Sequence, residues 1–213
     1  TPQTLSRSVK SMSRLPSLVR AVATSELRWR DSRTDWLLPS STPNLLCNWS
    51  PVQRPKLDAL MQILEEVLGQ RHGTFFDLGC GDGRVVHEVV HTLPNVKGCG
   101  VDLNTALVEH AQNRARKTGI QDRCRYEVSD LADVDLSDAV AVFLYLPLAA
   151  LSVCVKKVFP NSGLRKGTAV FSADGPLPGQ SSGYFEHLNL RSFPEDHGGL
   201  HRYTWLGKVK KSS

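Results

Sequence analysis

From Pro55 onward, apolar residues follow two spacings in turn. After Pro55 they recur three and four positions apart, as on one face of a helix, and Gly69 stands where that helix would end. Shorter apolar runs, rich in valine and phenylalanine, alternate with further stretches of helical spacing. The pattern predicts helices over 57–68, 84–93, 105–117 and 148–158, and strands over 73–78, 96–102, 123–128, 140–145 and 167–172.

The end of the chain has a different pattern. Residues 184–190 and 201–209 read as two strands with no helix between them. The run Val140–Tyr145 is almost continuously apolar, as expected of a parallel strand buried on both faces. Alternating strands and helices followed by a strand pair predict an α/β fold. We expect a doubly wound, mostly parallel, seven-stranded Rossmann-like sheet with a C-terminal antiparallel hairpin.

The first 54 residues differ in charge from the rest of the chain. They carry eight Lys/Arg against three Asp/Glu, which equals the whole net charge of +5. The first thirty residues are rich in serine, hold a single acid, Glu26, and repeat apolar residues at helical spacing. These features are typical of a mitochondrial or plastid transit segment. We expect a protein of the mitochondrial matrix; a solvated basic tail, or an arm that docks on RNA or a partner, remains open.

Residues 31–55 form a proline-rich connection that contains Trp36 and Trp49. Four prolines exclude a regular helix or a central strand, and the tryptophans favour packing on the domain. One role open to this segment is a lid over a pocket. The predicted organisation is an extension over 1–54 and one domain over 55–213. No apolar run approaches the roughly 18 residues that span a bilayer.

A glycine-rich loop follows the first predicted strand, in the order Gly79-x-Gly81-x-Gly83. Glycines there permit a tight turn and let backbone N–H groups approach a ligand at a helix N-terminus. The dinucleotide fingerprint G-x-G-x-x-G would need a glycine where Arg84 stands. The loop therefore argues against NAD or FAD.

Three acids near predicted strand ends indicate another cofactor. Asp77 enters the glycine loop, where a carboxylate would repel a pyrophosphate but suit an ammonium group. Asp102 ends the second strand, at the spacing of a carboxylate that binds ribose hydroxyls. Asp130 follows the third strand, where it could accept a hydrogen bond from an adenine amino group. Together the three acids describe S-adenosyl-L-methionine.

These motifs resemble those of the class I S-adenosylmethionine-dependent methyltransferases. "FFDLGCGDGRVV" is similar to their first motif, "GCGVDLN" to the second and "YEVSDL" to the third. The resemblance covers about residues 51–209. Within the class, the chain looks most like small methyltransferases that include mitochondrial protein-lysine methyltransferases.

The resemblance implies a cofactor-binding set spread over three strand ends. The residues that would hold the methionyl part are Asp77, Gly79, Gly81 and Gly83. Asp102 would hold the ribose, and Asp130 with Leu131 would flank the adenine. Asp82 and Leu103 complete the predicted set as members of the same motifs, without an assigned contact.

The fourth strand departs from one subgroup of the family. Methyltransferases that act on exocyclic base amines often carry D/N-P-P-Y there, whereas this chain has Phe143-Leu-Tyr-Leu-Pro147. Without Asp or Asn to accept from a planar amine, adenine-N6 and glutamine methylation are disfavoured. We expect Tyr145 and Pro147 to border the methyl group on the substrate side; Tyr145 either shapes the substrate opening or simply packs its ring. No general base is assigned.

The helix after the glycine loop contains H-E-x-x-H, the zinc-protease signature, as His87-Glu88-x-x-His91. The extended form of that motif needs a glycine at the position of Pro94. The histidines also lie opposite the valine stripe of the helix, which predicts that they face solvent. We therefore predict no metal site here.

The favoured function is methyl transfer to a protein side chain, with lysine preferred, or to RNA. The basic extension favours RNA or a ribonucleoprotein, because Lys/Arg clusters gain affinity from phosphate contacts. The neutral domain favours protein. The alternative is a catalytically silent methyltransferase fold that serves as a subunit or assembly factor of a large mitochondrial complex such as the mitoribosome.

Overall fold

A computed structural model describes residues 50–179, 183–193 and 198–207. The predicted transit segment and the Trp36 and Trp49 segment lie outside the described residues. The helices are α1 (Arg54–Leu68), α2 (Arg84–Thr92), α3 (Thr105–Thr118) and α4 (Leu148–Val153), with a 3-10 turn at Leu131–Asp133 and a π-helical turn at Cys154–Val158. The strands are β1 (Gly73–Leu78), β2 (Val96–Asp102), β3 (Cys124–Val128), β4 (Ala139–Leu144), β5 (Ala169–Ala173), β6 (Phe185–Phe193) and β7 (Gly198–Trp205).

The strands form one seven-stranded sheet in the order β3-β2-β1-β4-β5-β7-β6. Strands β1 to β5 are parallel to one another, while β7 runs antiparallel to both β5 and β6. The predicted fold class is therefore confirmed. Strands β2 and β4 flank β1 on opposite sides. The strand order therefore changes direction between the adjacent strands β1 and β4. Ligands of doubly wound sheets bind at the carboxyl ends of the strands at such a switch point.

Two hydrophobic cores cover the two faces of the sheet. Helices α1, α2 and α3 pack on one face, which includes Phe75, Phe143 and Phe171. The 3-10 turn, α4 and the π-helical turn cover the other face, together with Trp205. This explains why β4 is apolar at successive positions: both of its faces are buried.

The predicted helix over 148–158 changes type halfway. The α-helix ends at Val153, and the N–H of Phe159 then donates to the carbonyl of Cys154, five residues back, at 2.9 Å. This wider turn places Cys154, Val158 and Phe159 in the second core. Periodicity predicted a continuous helix here because a single π-helical turn leaves the apolar spacing almost unchanged.

Gly100 in β2 has no side chain, and this leaves room for Tyr126 and Cys80 to pack beside it. A Cβ at this position would lie 2.7 Å from the Tyr126 ring and 2.8 Å from Cys80 Sγ. Tyr126 in turn donates a hydrogen bond from its hydroxyl to the carbonyl of Gly83, at 3.3 Å. The small residue thus lets β2, β3 and the loop pack closely.

Replacing Gly100 with alanine is expected to lower the free energy of unfolding by about 2 kcal/mol, because overpacking displaces both neighbours. The matched control is Gly175→Ala, since a Cβ at Gly175 meets nothing within 4 Å. The control should stay within about 0.5 kcal/mol of the unchanged chain. Denaturant unfolding of both variants measures the difference, and equal stabilities would contradict the packing argument.

Candidate functional site

The glycine loop lies at the carboxyl end of β1 and is fixed to the neighbouring strand. The N–H groups of Gly79 and Cys80 both donate to the carbonyl of Val101, at 2.8 and 3.1 Å. Gly79, Gly81 and Gly83 have φ values of +87°, +53° and +73°, in the left-handed region that disfavours side chains. Gly83 immediately precedes α2. The loop is therefore a tight turn that leads from β1 directly into the start of α2.

Asp102 joins the glycine loop to the end of β2. Its Oδ2 accepts a hydrogen bond from the N–H of Gly81 at 2.8 Å, and its Oδ1 accepts from the N–H of Asn104 at 2.9 Å. Burial raises the pKa of the Asp102 carboxyl, and the backbone N–H groups of Asn104, Gly81 and Leu103 oppose that rise. The carboxylate is thus held in one orientation, with lone pairs left for a further donor such as a diol.

Asp77 is the most deeply buried acid of the site, with 2% of its surface exposed. Burial raises its pKa well above the usual range, and the negative charges of Asp102 and Asp82 raise it further. A carboxylate in such surroundings is stabilised by an arriving cation. An ammonium group bound at the end of β1 would supply that charge.

Asp82 has a partner within the loop itself. Arg84 Nη2 lies 2.7 Å from its Oδ2, and Arg84 Nε lies 3.0 Å from its Oδ1. The backbone N–H of Arg84 also donates to Oδ1 at 3.2 Å. This pair closes the first turn of α2. The role of Asp82 in cofactor binding therefore stays a prediction.

Two buried polar atoms without a hydrogen-bond partner within the described chain lie beyond β2 and β3. Asp130 Oδ1 accepts from the N–H of Ala132 at 3.0 Å, while its Oδ2 is buried and unpartnered. Asn104 Oδ1 caps α3, while its Nδ2 is likewise buried and unpartnered. Leu131 is buried beside Asp130. Asp130 Oδ2 can therefore accept a hydrogen bond from a ligand, and Asn104 Nδ2 can donate one.

The opposite side of the site follows β4 and β5. Tyr145 is half-buried against the first core, and Pro147 is the N-cap residue of α4. The Lys56 ammonium of α1 lies 5.9 Å from the centroid of the Tyr145 ring. It also forms an ion pair with Asp174, which directly follows β5. Carboxylates and a ring thus surround the site on both sides of the switch point.

Comparison with known proteins supports a family. Residues 77–182 match the family described as the ANTKMT methyltransferase domain. The solved structure of an RNA methyltransferase from Salinibacter ruber, in complex with S-adenosyl-L-homocysteine, has a TM-score of 0.61 and 25% identity to this chain. It covers 76% of this chain and 98% of its own. Both matches support a class I S-adenosylmethionine-dependent methyltransferase family for this chain.

Three curated relatives of this chain carry names that specify lysine. The protein-lysine N-methyltransferase of Saccharolobus islandicus is 29% identical over 49% of this chain and 63% of its own length. A Caenorhabditis elegans relative, a lysine N-methyltransferase named for a subunit of ATP synthase, is 27% identical over 55% of this chain and 59% of its own. The adenine nucleotide translocase lysine N-methyltransferase of Mus musculus is 32% identical, over 60% and 56% respectively. The chain thus spans less than two thirds of each relative.

The fold alone does not fix the reaction. The [4+2]-cyclase SpnF shares the fold with a TM-score of 0.54 at 12% identity, over 75% of this chain and 86% of its own. Folds of this kind host different chemistries through their site residues. The acids, glycines and ring described above must therefore carry the functional argument.

The H-E-x-x-H motif lies on the outer surface of the methyltransferase domain. His91 is exposed, and His87 lies 3.0 Å from Thr118 Oγ1 through its Nε2. Glu88 pairs with Arg54 at 3.5 Å. The predicted separation from the buried valine face is confirmed. Across the described ranges, no three His, Cys, Asp or Glu side chains form a group that could hold a metal ion.

Sequence reasoning missed two residues of the candidate site. Asn104 had a signal, because an Asn two residues after a strand-end acid and before a helix is a common N-cap. Lys56 also had a sequence signal: it lies one turn before Leu60 on the apolar face of α1, where a lysine is unusual.

In the part of the chain that is described, no helix is long and apolar enough to cross a membrane.

Proposed function

We propose that this chain binds S-adenosyl-L-methionine across the carboxyl ends of β1, β2 and β3. Asp77 would face the ammonium group, Asp102 the ribose hydroxyls and Asp130 the adenine amino group. Three properties of the site fit these groups: the deep burial of the Asp77 carboxyl, the fixed orientation of Asp102 and the unpartnered Oδ2 of Asp130. Asn104 Nδ2 offers a donor to the same ligand.

We further propose that the chain is a protein-lysine N-methyltransferase of mitochondria. The observation that carries this proposal is that relatives from an archaeon, a nematode and a mouse all bear the name of a lysine N-methyltransferase. The mitochondrial part is supported by the basic, amphipathic first thirty residues and by two relatives, one named for ATP synthase and one for adenine nucleotide translocase.

The residues of the chain would act mainly by holding reactants in place. When bound, the cofactor supplies a methyl group that its sulfonium already makes electrophilic. Asp77, Asp102 and Asp130 would fix its position, so that an acceptor held on the side of Tyr145 would meet the methyl group in line. An acceptor lysine must be neutral to attack, and burial among apolar side chains lowers the pKa of its ammonium.

Asp130→Asn is expected to weaken binding of S-adenosylhomocysteine about tenfold. The asparagine retains an acceptor for the N–H of Ala132, but it turns an N–H₂ toward the adenine amino group, which loses its charged acceptor. Calorimetric titration measures the change. The matched control is Asp133→Ala, at an exposed acid nearby, which should bind S-adenosylhomocysteine like the unchanged chain. Unchanged affinity in Asp130→Asn would remove this residue from the proposed site.

The lysine proposal is tested with the purified chain, a mitochondrial extract and S-adenosylmethionine that carries a labelled methyl group. We expect a labelled protein band that yields methyllysine on acid hydrolysis and is absent with Asp102→Ala. Label in RNA alone, or in no acceptor, would contradict the proposal. Location is tested by fractionating cells that express the tagged chain, and recovery in the cytosol alone would contradict the mitochondrial part.

RNA is the second candidate acceptor, favoured by two observations. The Salinibacter ruber neighbour is titled an RNA methyltransferase, and residues 1–54 hold the whole net positive charge. An RNA-methylating chain should bind RNA in a strongly salt-dependent manner that is lost on removal of 1–54. A catalytically silent subunit would transfer no label to any acceptor.

A further inference from the structure

Lys56 is a buried cation at the substrate side of the site. Only 3% of its side chain is exposed, although it lies in the first turn of α1. Burying an ammonium is costly unless a charged partner accompanies it, and the partner here is Asp174. Lysine is rarely buried to this degree. Its position therefore requires an explanation beyond helix packing.

Asp174 is held in place by the segments around it. Its φ of +64° lies in the left-handed region, the one such residue other than glycine among those described. Its N–H donates to the carbonyl of Gly199 at 2.7 Å. At Gly198, a Cβ would collide with Asp174 Oδ1 and would lie 3.0 Å from Lys56 Nζ. The absence of a side chain at Gly198 leaves the space for this pair.

The surroundings of Lys56 Nζ are those of an ammonium-binding site. The carboxylate of Asp174 lies on one side and the ring of Tyr145 on another, 5.9 Å from ring centroid to nitrogen. Carboxylates and aromatic rings are the groups with which proteins recognise alkylammonium ions. Tyr145 follows β4 directly, and Asp174 follows β5, so both lie at the ligand-binding edge of the sheet.

We propose that Asp174 and Tyr145 form the binding site for the acceptor lysine, and that Lys56 fills this site until the acceptor enters. The proposal rests on the proposed lysine methyltransferase function and names its acceptor subsite. The Asp174 side chain is 37% exposed, so an incoming ammonium can reach it. Lys56 then acts as an internal stand-in for the substrate and excludes water and small cations from the site.

The proposal predicts that removing Lys56 opens a site for a lysine side chain. In Lys56→Ala, n-butylammonium chloride has the charge of the missing group and the length of a whole lysine side chain. We expect it to bind this variant, by calorimetry or by shifts in the NMR spectrum, and to bind the unchanged chain at least about tenfold more weakly. Neutral n-butanol and the exposed-lysine variant Lys97→Ala are the controls, and neither should show this binding.

Two companion variants test whether the charge and the ring make the site. Lys56→Ala combined with Asp174→Asn should lose binding of n-butylammonium by about tenfold, since the charged partner is gone. Lys56→Ala combined with Tyr145→Leu should lose part of it. If Lys56→Ala fails to fold, Lys56→Ser leaves similar space and keeps a hydroxyl beside Asp174.

The same variant connects the site to methyl transfer. With S-adenosylmethionine, Lys56→Ala should methylate n-butylamine at a rate at least about tenfold above the unchanged chain, a contrast of the size expected from loss of an internal competitor. After the ammonium releases its proton to water, the amine lone pair forms the C–N bond. The C–S bond breaks, and its electron pair returns to sulfur as the neutral thioether of S-adenosylhomocysteine.

Each contrary outcome has a distinct meaning. If the folded Lys56→Ala does not bind n-butylammonium, or binds it regardless of Asp174→Asn, the pair is a structural link and the proposal is overturned. Asp174-dependent binding without methylation of n-butylamine, in a variant that still binds S-adenosylhomocysteine, shows that the ammonium site is not the acceptor site. No binding of S-adenosylhomocysteine by the unchanged chain would instead overturn the proposed function itself.

Discussion

Asp77→Asn is expected to stabilise the ligand-free protein while weakening binding of S-adenosylhomocysteine by about 100-fold. The carboxylate is buried in β1 beside Asp102 and Asp82, and burial raises its pKa first, followed by these two charges. Asparagine has the same shape without the charge, so stability should rise by about 1–3 kcal/mol. Loss of the charged partner for the ligand ammonium accounts for the weaker binding.

The stability part of this prediction depends on pH. Because the folded-state pKa of Asp77 lies above its ordinary value of 3.8, the folded chain holds its proton more tightly than the unfolded chain. The contribution of Asp77 to stability therefore falls as pH rises from about 3.8 toward the raised pKa. Asp77→Asn removes that fall, and its advantage over the unchanged chain should grow with pH across this window.

Thermal unfolding at several pH values, followed by titration at pH 7, measures both effects. A gain of 1 kcal/mol corresponds to roughly 2–4 °C in Tm for a chain of this size. The matched control is the exposed acid variant Asp122→Asn, which should change neither quantity. A lower Tm in Asp77→Asn would show that the carboxylate is already compensated in the ligand-free protein.

Asp102→Ala is expected to have the largest effect on binding, a loss of about 1,000-fold. In the proposed binding mode, the substitution removes the acceptor for two ribose hydroxyls, and each hydrogen bond to a charged group contributes about 1.5–3 kcal/mol. It also frees the N–H groups of Gly81 and Asn104, which the carboxylate now holds at 2.8 and 2.9 Å. The glycine loop and the start of α3 would both lose their fixed orientation.

The affinity of Asp102→Asn should lie between those of the unchanged chain and Asp102→Ala, since an amide oxygen can still accept one of these hydrogen bonds. Equilibrium dialysis with labelled S-adenosylhomocysteine separates the three affinities, and circular dichroism checks that each variant is folded. Asp122→Ala again provides an exposed control. Affinity within threefold of the unchanged chain in Asp102→Ala would place the ribose elsewhere.

The fold was largely predictable because its sheet is buried on both faces. The continuous apolar run of β4 and the helical spacing of α1 each have one ready interpretation, and both are confirmed. The positions of the three acids were also predictable, since the carboxyl ends of parallel strands lie at the same edge of the sheet. The sequence did not indicate that β7, rather than β6, pairs with β5. Tyr203 and Trp205 are almost fully buried, and this places β7 on the inside.

The contacts of the substrate side could not be predicted in the same way. Lys56, Tyr145 and Asp174 come from three segments distant in sequence, and only the folded sheet brings them together. The assignments of Gly79, Gly81, Leu103, Leu131 and Pro147 to the cofactor or substrate stay predictions. The structure places them around one switch point, where the proposed ligand would contact them.

The central claim is that this chain binds the methyl-donor cofactor at the carboxyl edge of β1, β2 and β3. Calorimetric titration of S-adenosylhomocysteine into the purified, unchanged chain tests it most directly. We predict one binding event per chain with a Kd of about 10 µM or tighter, equivalent to roughly 7 kcal/mol. No measurable heat and no shift in Tm at millimolar ligand would contradict the claim and leave the fold as a scaffold.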